Sequence, residues 1–248
     1  MVESGHIENE FSKFFNSSDY IALKNQLFNY KFRKWMLEKR YKKYNKILNP
    51  RILDIGCGIS PVSPDSPRTI FIESDKEAVQ LLNNNRYDAR IGDIKKIPLK
   101  NNFVDVIFCS EVLEHVPDYK KGLKEFFRVL KKNGLVFITV PIHMKYWAFD
   151  DDYVGHLRRF SPKKLASDLK DENFEILEIN PIGSHIEREL TKMLVQKAMT
   201  RKGENKINRF QMSIFKLVNK IFLALTYLGY LFNNEGNSSI ILIVAQKN

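Results

Sequence analysis

The sequence predicts a doubly wound α/β fold built on seven strands in a mostly parallel sheet. Three observations predict it. Over residues 50–140 short apolar runs alternate with helical stretches, the pattern of successive βαβ units. The first run, Arg51 to Ile55, breaks at once into Gly56, Cys57 and Gly58. Two glycines there let the backbone turn sharply and approach a ligand without a Cβ in the way. The second run, Thr69 to Ile72, ends in Glu73, about 20 residues beyond the glycine turn, where a carboxylate can accept both hydroxyls of a vicinal diol.

The elements follow in order. Residues 1–18 are polar and read as a loosely packed tail. Residues 19–48 carry Tyr20, Leu23, Leu27, Phe28, Trp35 and further aromatics at helical spacing, so one or two amphipathic helices precede the core. The bases from Lys39 to Lys43 give that cap a basic face, read either as a solvated surface or as a place for nucleic acid. Strand one holds Asp54, which needs hydrogen-bond partners or a ligand to be tolerated among apolar neighbours. After Glu73 and Ser74, Asp75 reads as the N-cap of a helix over 76–85. A third strand leads to Asp93 and Ile94. A fourth runs from about Phe103 to Ser110, and its loop carries Glu111, Glu114 and His115. A helix over 119–131, the turn Lys132-Asn133-Gly134 and a fifth strand, Leu135 to Val140, come next. Ser161 and Pro162 make a good start for a helix over 162–171, with Ser at N-cap and Pro at N1. Phe174 to Ile179 and Ser239 to Ala245 complete the strands. The predicted organisation is a helical cap over 1–48, a core over 49–180, a helical insertion over 181–237 and a closing strand over 238–248.

These motifs, taken together, resemble class I S-adenosylmethionine (SAM) methyltransferases of the small-molecule, ubiquinone-pathway type, over roughly residues 50–180. A third glycine, as a nicotinamide-binding loop would have, is missing; Pro61 stands in its place. The resemblance implies a Rossmann-like methyltransferase core with an antiparallel last strand. SAM would be held by Asp54, Gly56, Cys57 and Gly58 at its methionine end and by Glu73 and Ser74 at the ribose. Asp93 and Ile94 would meet the adenine, and Ser110 and Glu111 would lie beside it. The segment Gly155-His156-Leu157-Arg158-Arg159-Phe160-Ser161-Pro162 resembles one widespread in such enzymes. His115 and His156 are the candidate catalytic bases. Tyr146, Trp147, Arg158 and Arg159 are candidates for gripping the acceptor, although both arginines could instead pair with Asp150, Asp151 and Asp152. Glu111, Glu114, His115 and His156 resemble the metal set of ubiquinone-pathway O-methyltransferases and of small-RNA 3′-terminal ribose methyltransferases. No metal is assigned, and this set stands as the alternative.

Composition bounds the rest. The chain has 248 residues, 44% of them hydrophobic, enough for a real core. Only Cys57 and Cys109 are present, and the polar N-terminus does not look like a secretory leader. Both point to a reducing, cytoplasmic setting. A net charge of +11 attracts anionic partners: nucleic acid, lipid headgroups or phosphorylated molecules. Residues 210–232 form a long apolar helix interrupted by Lys216, Asn219 and Lys220. A membrane span fits poorly, because both flanks belong to one domain. An interfacial helix, a lid over a greasy pocket, a packed helix and a dimer contact all stay open. The favoured expectation is O-methylation of an amphiphilic acceptor: an isoprenoid, a quinone precursor or a lipid-linked sugar. The rivals are an RNA methyltransferase and a non-catalytic SAM-fold partner protein.

Overall fold

A computed structural model describes residues 24–64, 68–200 and 209–248 of the chain. The expected tail over 1–18, the start of the helical cap and the polar break near Gly203 lie outside these residues. The described chain runs α1 (Phe28–Tyr44), β1 (Ile52–Ile55), β2 (Thr69–Glu73), α2 (Lys76–Asn84), β3 (Asp88–Ile91) and β4 (Val104–Ser110). It continues with α3 (Tyr119–Val129), β5 (Leu130–Pro141), α4 (Phe149–Tyr153), α5 (Pro162–Asp171) and β6 (Phe174–Gly183). The last elements are α6 (His185–Thr200), α7 (Arg209–Leu231) and β7 (Ile240–Lys247).

All seven strands join one sheet in the order β3-β2-β1-β4-β5-β7-β6. β1 to β5 are parallel to one another, and β7 enters antiparallel between β5 and β6. The period of two along each strand sorts the core into two layers. Ile52, Val106, Phe108, Phe137 and Val244 face α1, whose Phe32, Met36 and Leu37 are buried against them, with Tyr230 of α7 alongside. Leu53, Ile107, Val136, Ile138 and Ile243 face the other way, toward Leu123 and Phe126 of α3 and Leu165 and Leu169 of α5. β1 is buried along its whole length, as a central parallel strand covered on both sides must be.

Two boundaries differ from the sequence expectation. β5 begins at Leu130, five residues before Leu135, because Leu130 already pairs with Val104. The expected turn at Lys132-Asn133-Gly134 is an irregularity inside the ladder, and beyond it pairing resumes as Val106 with Leu135. β6 extends past Ile179 to Gly183, since its ladder with β7 continues through Asn180 and Pro181. The strand order reverses direction between β1 and β4, so the crevice at their C-terminal ends is the switch point where such sheets take ligands.

Candidate active site

Gly56 leaves β1 with φ +68°, and a Cβ there would stand 2.5 Å from Cγ2 of Val112 in the loop after β4. Glycine is therefore required on both conformational and spatial grounds. Gly58 (φ +53°) follows, and its N–H donates to Oε2 of Glu73 at 2.8 Å. The other Glu73 oxygen accepts from the N–H groups of Ser74 (2.7 Å) and Asp75 (3.3 Å). The acid at the end of β2 is thus locked against the glycine turn, and Oε2 keeps acceptor capacity for a hydroxyl. Asp75 caps α2, accepting from Glu77 N–H at 2.8 Å.

Asp54 is buried. One of its oxygens accepts from Val62 N–H (3.1 Å) and Ser63 N–H (2.9 Å), which folds the chain back over β1. The other oxygen has no hydrogen-bond partner among the described residues. Burial pushes the carboxyl up to about 6, against the pull of those hydrogen bonds. Cys57 contributes no nucleophile: burial first, then the charges of Asp54 and Glu73, hold its thiol protonated well above the usual range.

The cofactor candidates further along divide by exposure. Asp93 is half-exposed beyond β3, accepting from Lys95 N–H at 2.8 Å. The Ile94 side chain lies in the core against Gly122, which leaves only its main chain to face a ligand. Ser110 ends β4 with its hydroxyl 2.8 Å from that of Thr139. Glu111 takes φ +56° and sits 3.8 Å from Arg33 of α1, and buried Glu111 Oε1 and Arg33 Nε have no hydrogen-bond partners among the described residues.

Sequence reasoning missed two cations here. Arg33 is one. The other is Lys24, whose ammonium lies beside Gly58; burial, then Arg33, lower it to about 8. Nothing in the sequence sets these two apart from the many other bases of the N-terminal region. With the carboxylates of Asp54 and Glu111, they place charged groups of both signs around the glycine turn. Such a surface suits an amino-acid end, which carries an ammonium and a carboxylate.

The second cluster forms where the segment after α4 docks on the short turn Leu113–His115. Leu157 N–H donates to the Glu114 carbonyl (2.9 Å), and His115 Nδ1 lies 3.2 Å from the Gly155 carbonyl. The two imidazoles meet edge to face, 4.8 Å between ring centres. His156 Nδ1 is 2.7 Å from Asp151 Oδ1. Burial alone would raise Asp151, but the bonds from His156 and Arg159 outweigh it and hold the carboxyl at about 2. An ionised carboxylate only accepts, so His156 Nδ1 carries a proton and Nε2 presents a lone pair. The same argument applied to the Gly155 carbonyl puts a proton on Nδ1 of His115. His115 keeps one edge open to solvent, yet the protein packed around it, and then the His156 ring, push it down to about 4. Glu114 is fully buried, and among the described residues neither carboxylate oxygen has a hydrogen-bond partner; burial, then Glu111, raise it well above the usual carboxylate range. Its Oε1 lies 3.8 Å from His156 Nε2.

Glu114, His115 and His156 bring ligand atoms within 4.8 Å of one another. Glu111, the fourth member of the alternative metal set, is turned toward Arg33 instead.

The candidate acceptor-binding residues separate. Arg158 gives its guanidinium to the carbonyls of Val116 (2.7 Å) and Pro117 (3.1 Å) and stacks on Tyr119. Arg159 is buried on Asp151 at 2.8 Å. Arg159 is thus paired inside the protein, while Arg158 stays half-buried with its guanidinium on main-chain carbonyls at the surface. Arg188 of α6, which the sequence did not single out, completes the frame by holding Asp150 and Asp151. Tyr146 and Trp147 line an open cavity of about 340 Å³ together with His185, Arg188 and Lys192. No residue of the glycine turn lines that cavity.

Comparison with known proteins adds four likenesses. The profile of the family described as "Methyltransferase domain" matches residues 22–179. A protein of Mycolicibacterium smegmatis named "Probable S-adenosylmethionine-dependent methyltransferase" is 26% identical over 133 residues, 50% of this chain and 52% of that one. A ubiquinone biosynthesis O-methyltransferase of Pelagibacter ubique is 32% identical over 112 residues, 41% of this chain and 46% of that one. The chain spans about half the length of the curated relatives it matches. Among solved structures, a SAM-dependent methyltransferase from Thermotoga maritima covers 98% of this chain and 97% of its own, with a TM-score of 0.56 at 15% identity, a likeness of fold.

Proposed function

The chain belongs to the methyltransferase-domain family, and on that premise we propose that it moves the methyl group of SAM onto an oxygen of an amphiphilic acceptor. The residues present fit the cofactor. Glu73 would take the ribose hydroxyls, and Asp93 with the main chain of Ile94 the adenine. Gly56, Gly58, Asp54, Lys24 and Arg33 would surround the amino-acid end. SAM supplies an activated methyl group on a sulfonium sulfur.

What remains for the protein is to orient the acceptor and remove its proton. The observation that carries this reading is the His156–Asp151 hydrogen bond. It fixes the tautomer so that Nε2 can accept the hydroxyl proton, and the ionised Asp151 stabilises the imidazolium that results. His156 would hold that proton at Nε2 while the acceptor oxygen took up the methyl group and the thioether left. Glu114, held neutral by its burial, adds no competing negative charge and can donate a hydrogen bond to the acceptor. Tyr146 and Trp147, on the cavity wall, would offer flat apolar faces to a ring-bearing acceptor. The ubiquinone-pathway relative and the apolar α7 favour an isoprenoid, a quinone precursor or a lipid-linked sugar.

The test uses SAM labelled in the methyl group, the purified chain and a cell extract, separated afterwards into lipid, RNA, protein and small-molecule fractions. Label in the lipid fraction that resists saponification and is released as methyl iodide by hydriodic acid supports the reading. Label confined to RNA would replace it with the nucleic-acid alternative.

A further inference from the structure

α7 is apolar on both sides. Its inward side packs Phe222, Leu223 and Tyr230 against α1 and the core and buries Asn219 (5% exposed) and Thr226 (0%), while its outward side carries Leu217 (60%), Ile221 (52%), Leu228 (51%) and Leu231 (58%). The exposed apolar line runs the length of a 23-residue helix, far beyond the scattered apolar residues of an ordinary surface. This arrangement removes the lid reading, because the greasy stripe points away from the protein. A span is removed too. β6 and β7 on either side of the insertion are neighbours in one sheet, so the helix cannot cross a bilayer alone.

The border of the stripe shows what covers it. Lys216, Lys220 and Tyr227 are exposed along one flank, and residues 209–231 contain no Asp or Glu. Tyr227 stacks on Trp35 of α1 (5.6 Å between centroids), and Lys39 lies over the Trp35 ring at 5.3 Å. Lys31, Trp35 and Lys39 are exposed at successive helical turns of α1. An apolar stripe with an aromatic and basic border is the pattern of a helix lying in the plane of a membrane interface. A second copy fits less well: Lys31, Lys39, Lys216 and Lys220 border the stripe against one acid, Glu38, so a two-fold contact would press a basic rim against itself, whereas lipid phosphate supplies the opposite charge.

We infer that the outer face of α7, bordered by the bases of α1, docks on an anionic lipid surface. The inference does not depend on the reaction, and its test needs no acceptor. The full chain is floated with vesicles of phosphatidylcholine alone and of phosphatidylcholine mixed with phosphatidylglycerol, at low and high salt. Binding to the mixed vesicles, weakened by salt, is expected. L217E with I221E should abolish it. K216E with K220E should weaken it by about tenfold or more while leaving the melting curve unchanged. In the parent background with Trp147→Phe, the emission of Trp35 should shift to the blue on adding mixed vesicles, a readout that needs no change in α7. Failure to bind, equal binding to both vesicle types at all salt concentrations, or a dimer in light scattering that L217E dissociates would overturn the inference.

Discussion

The Asp151 carboxylate lies 2.7 Å from His156 Nδ1, and the same carboxylate is held from behind by Arg159 and Arg188. A group pinned on three sides aims the ring it holds. Replacing His156 by Ala should lower kcat by about 10²- to 10⁴-fold, the usual worth of a general base. D151N should lower kcat by less and leave KM for SAM near its parent value. Steady-state kinetics of both variants decide this, and a D151N enzyme of full activity would remove Asp151 from the mechanism.

The same carboxylate makes stability depend on pH in a stated direction. Its folded value, about 2, lies below the ordinary unfolded value of about 3.9. Its contribution, on the order of 2 kcal/mol, is therefore complete above the unfolded value and is lost as pH falls through the folded one. Urea unfolding of the parent and of D151N should show a gap at neutral pH that narrows toward about pH 2.

Glu73 joins the glycine turn to the end of β2. E73A should weaken SAM binding by about ten- to a hundredfold, the value of one or two hydrogen bonds to a charged acceptor. E73Q, which keeps the shape and loses the charge, should fall between. Isothermal titration with SAM measures both, and unchanged affinity in E73A would place the ribose elsewhere.

Gly56→Ala should cost about 1–2 kcal/mol for its left-handed backbone alone. The 2.5 Å approach to Val112 adds to that. Thermal melting reports the loss. A companion V112A change should recover part of it by giving the new methyl group room.

Asn219 on α7 accepts the buried N–H of Phe28 at the start of α1, at 3.0 Å. N219A leaves that donor stranded and should lower stability by about 1–3 kcal/mol. N219D, which still accepts, should lose less. Chemical denaturation distinguishes the two.

The central strands and the glycine turn were legible because local signals carried them: apolar runs bounded by Gly, an acid at a strand end, and Ser161-Pro162 at the start of α5. The β5 boundary was not, because Lys132-Asn133-Gly134 is turn chemistry that the ladder overrode from outside. The frame around His156 was half legible. The sequence leaves Arg158 and Arg159 between the acceptor and the acids Asp150 to Asp152, and pairing with an acid holds for Arg159. Arg188 joins from a helix far along the chain, and no spacing announces it. The periodicity of α7 was plain, yet a period does not say which side faces in. The packing of Asn219, Phe222, Leu223 and Thr226 against the body decides that.

β6 touches the sheet solely through β7. While the chain is being made, the stretch from Phe174 onward therefore has no edge to join until its final ladder is in place, and the greasy helix within that stretch must wait in water beside it. A nascent chain stalled before Ile240 would present both an unpaired strand and an undocked apolar helix, and would be bound by chaperones far more than one stalled before Phe174.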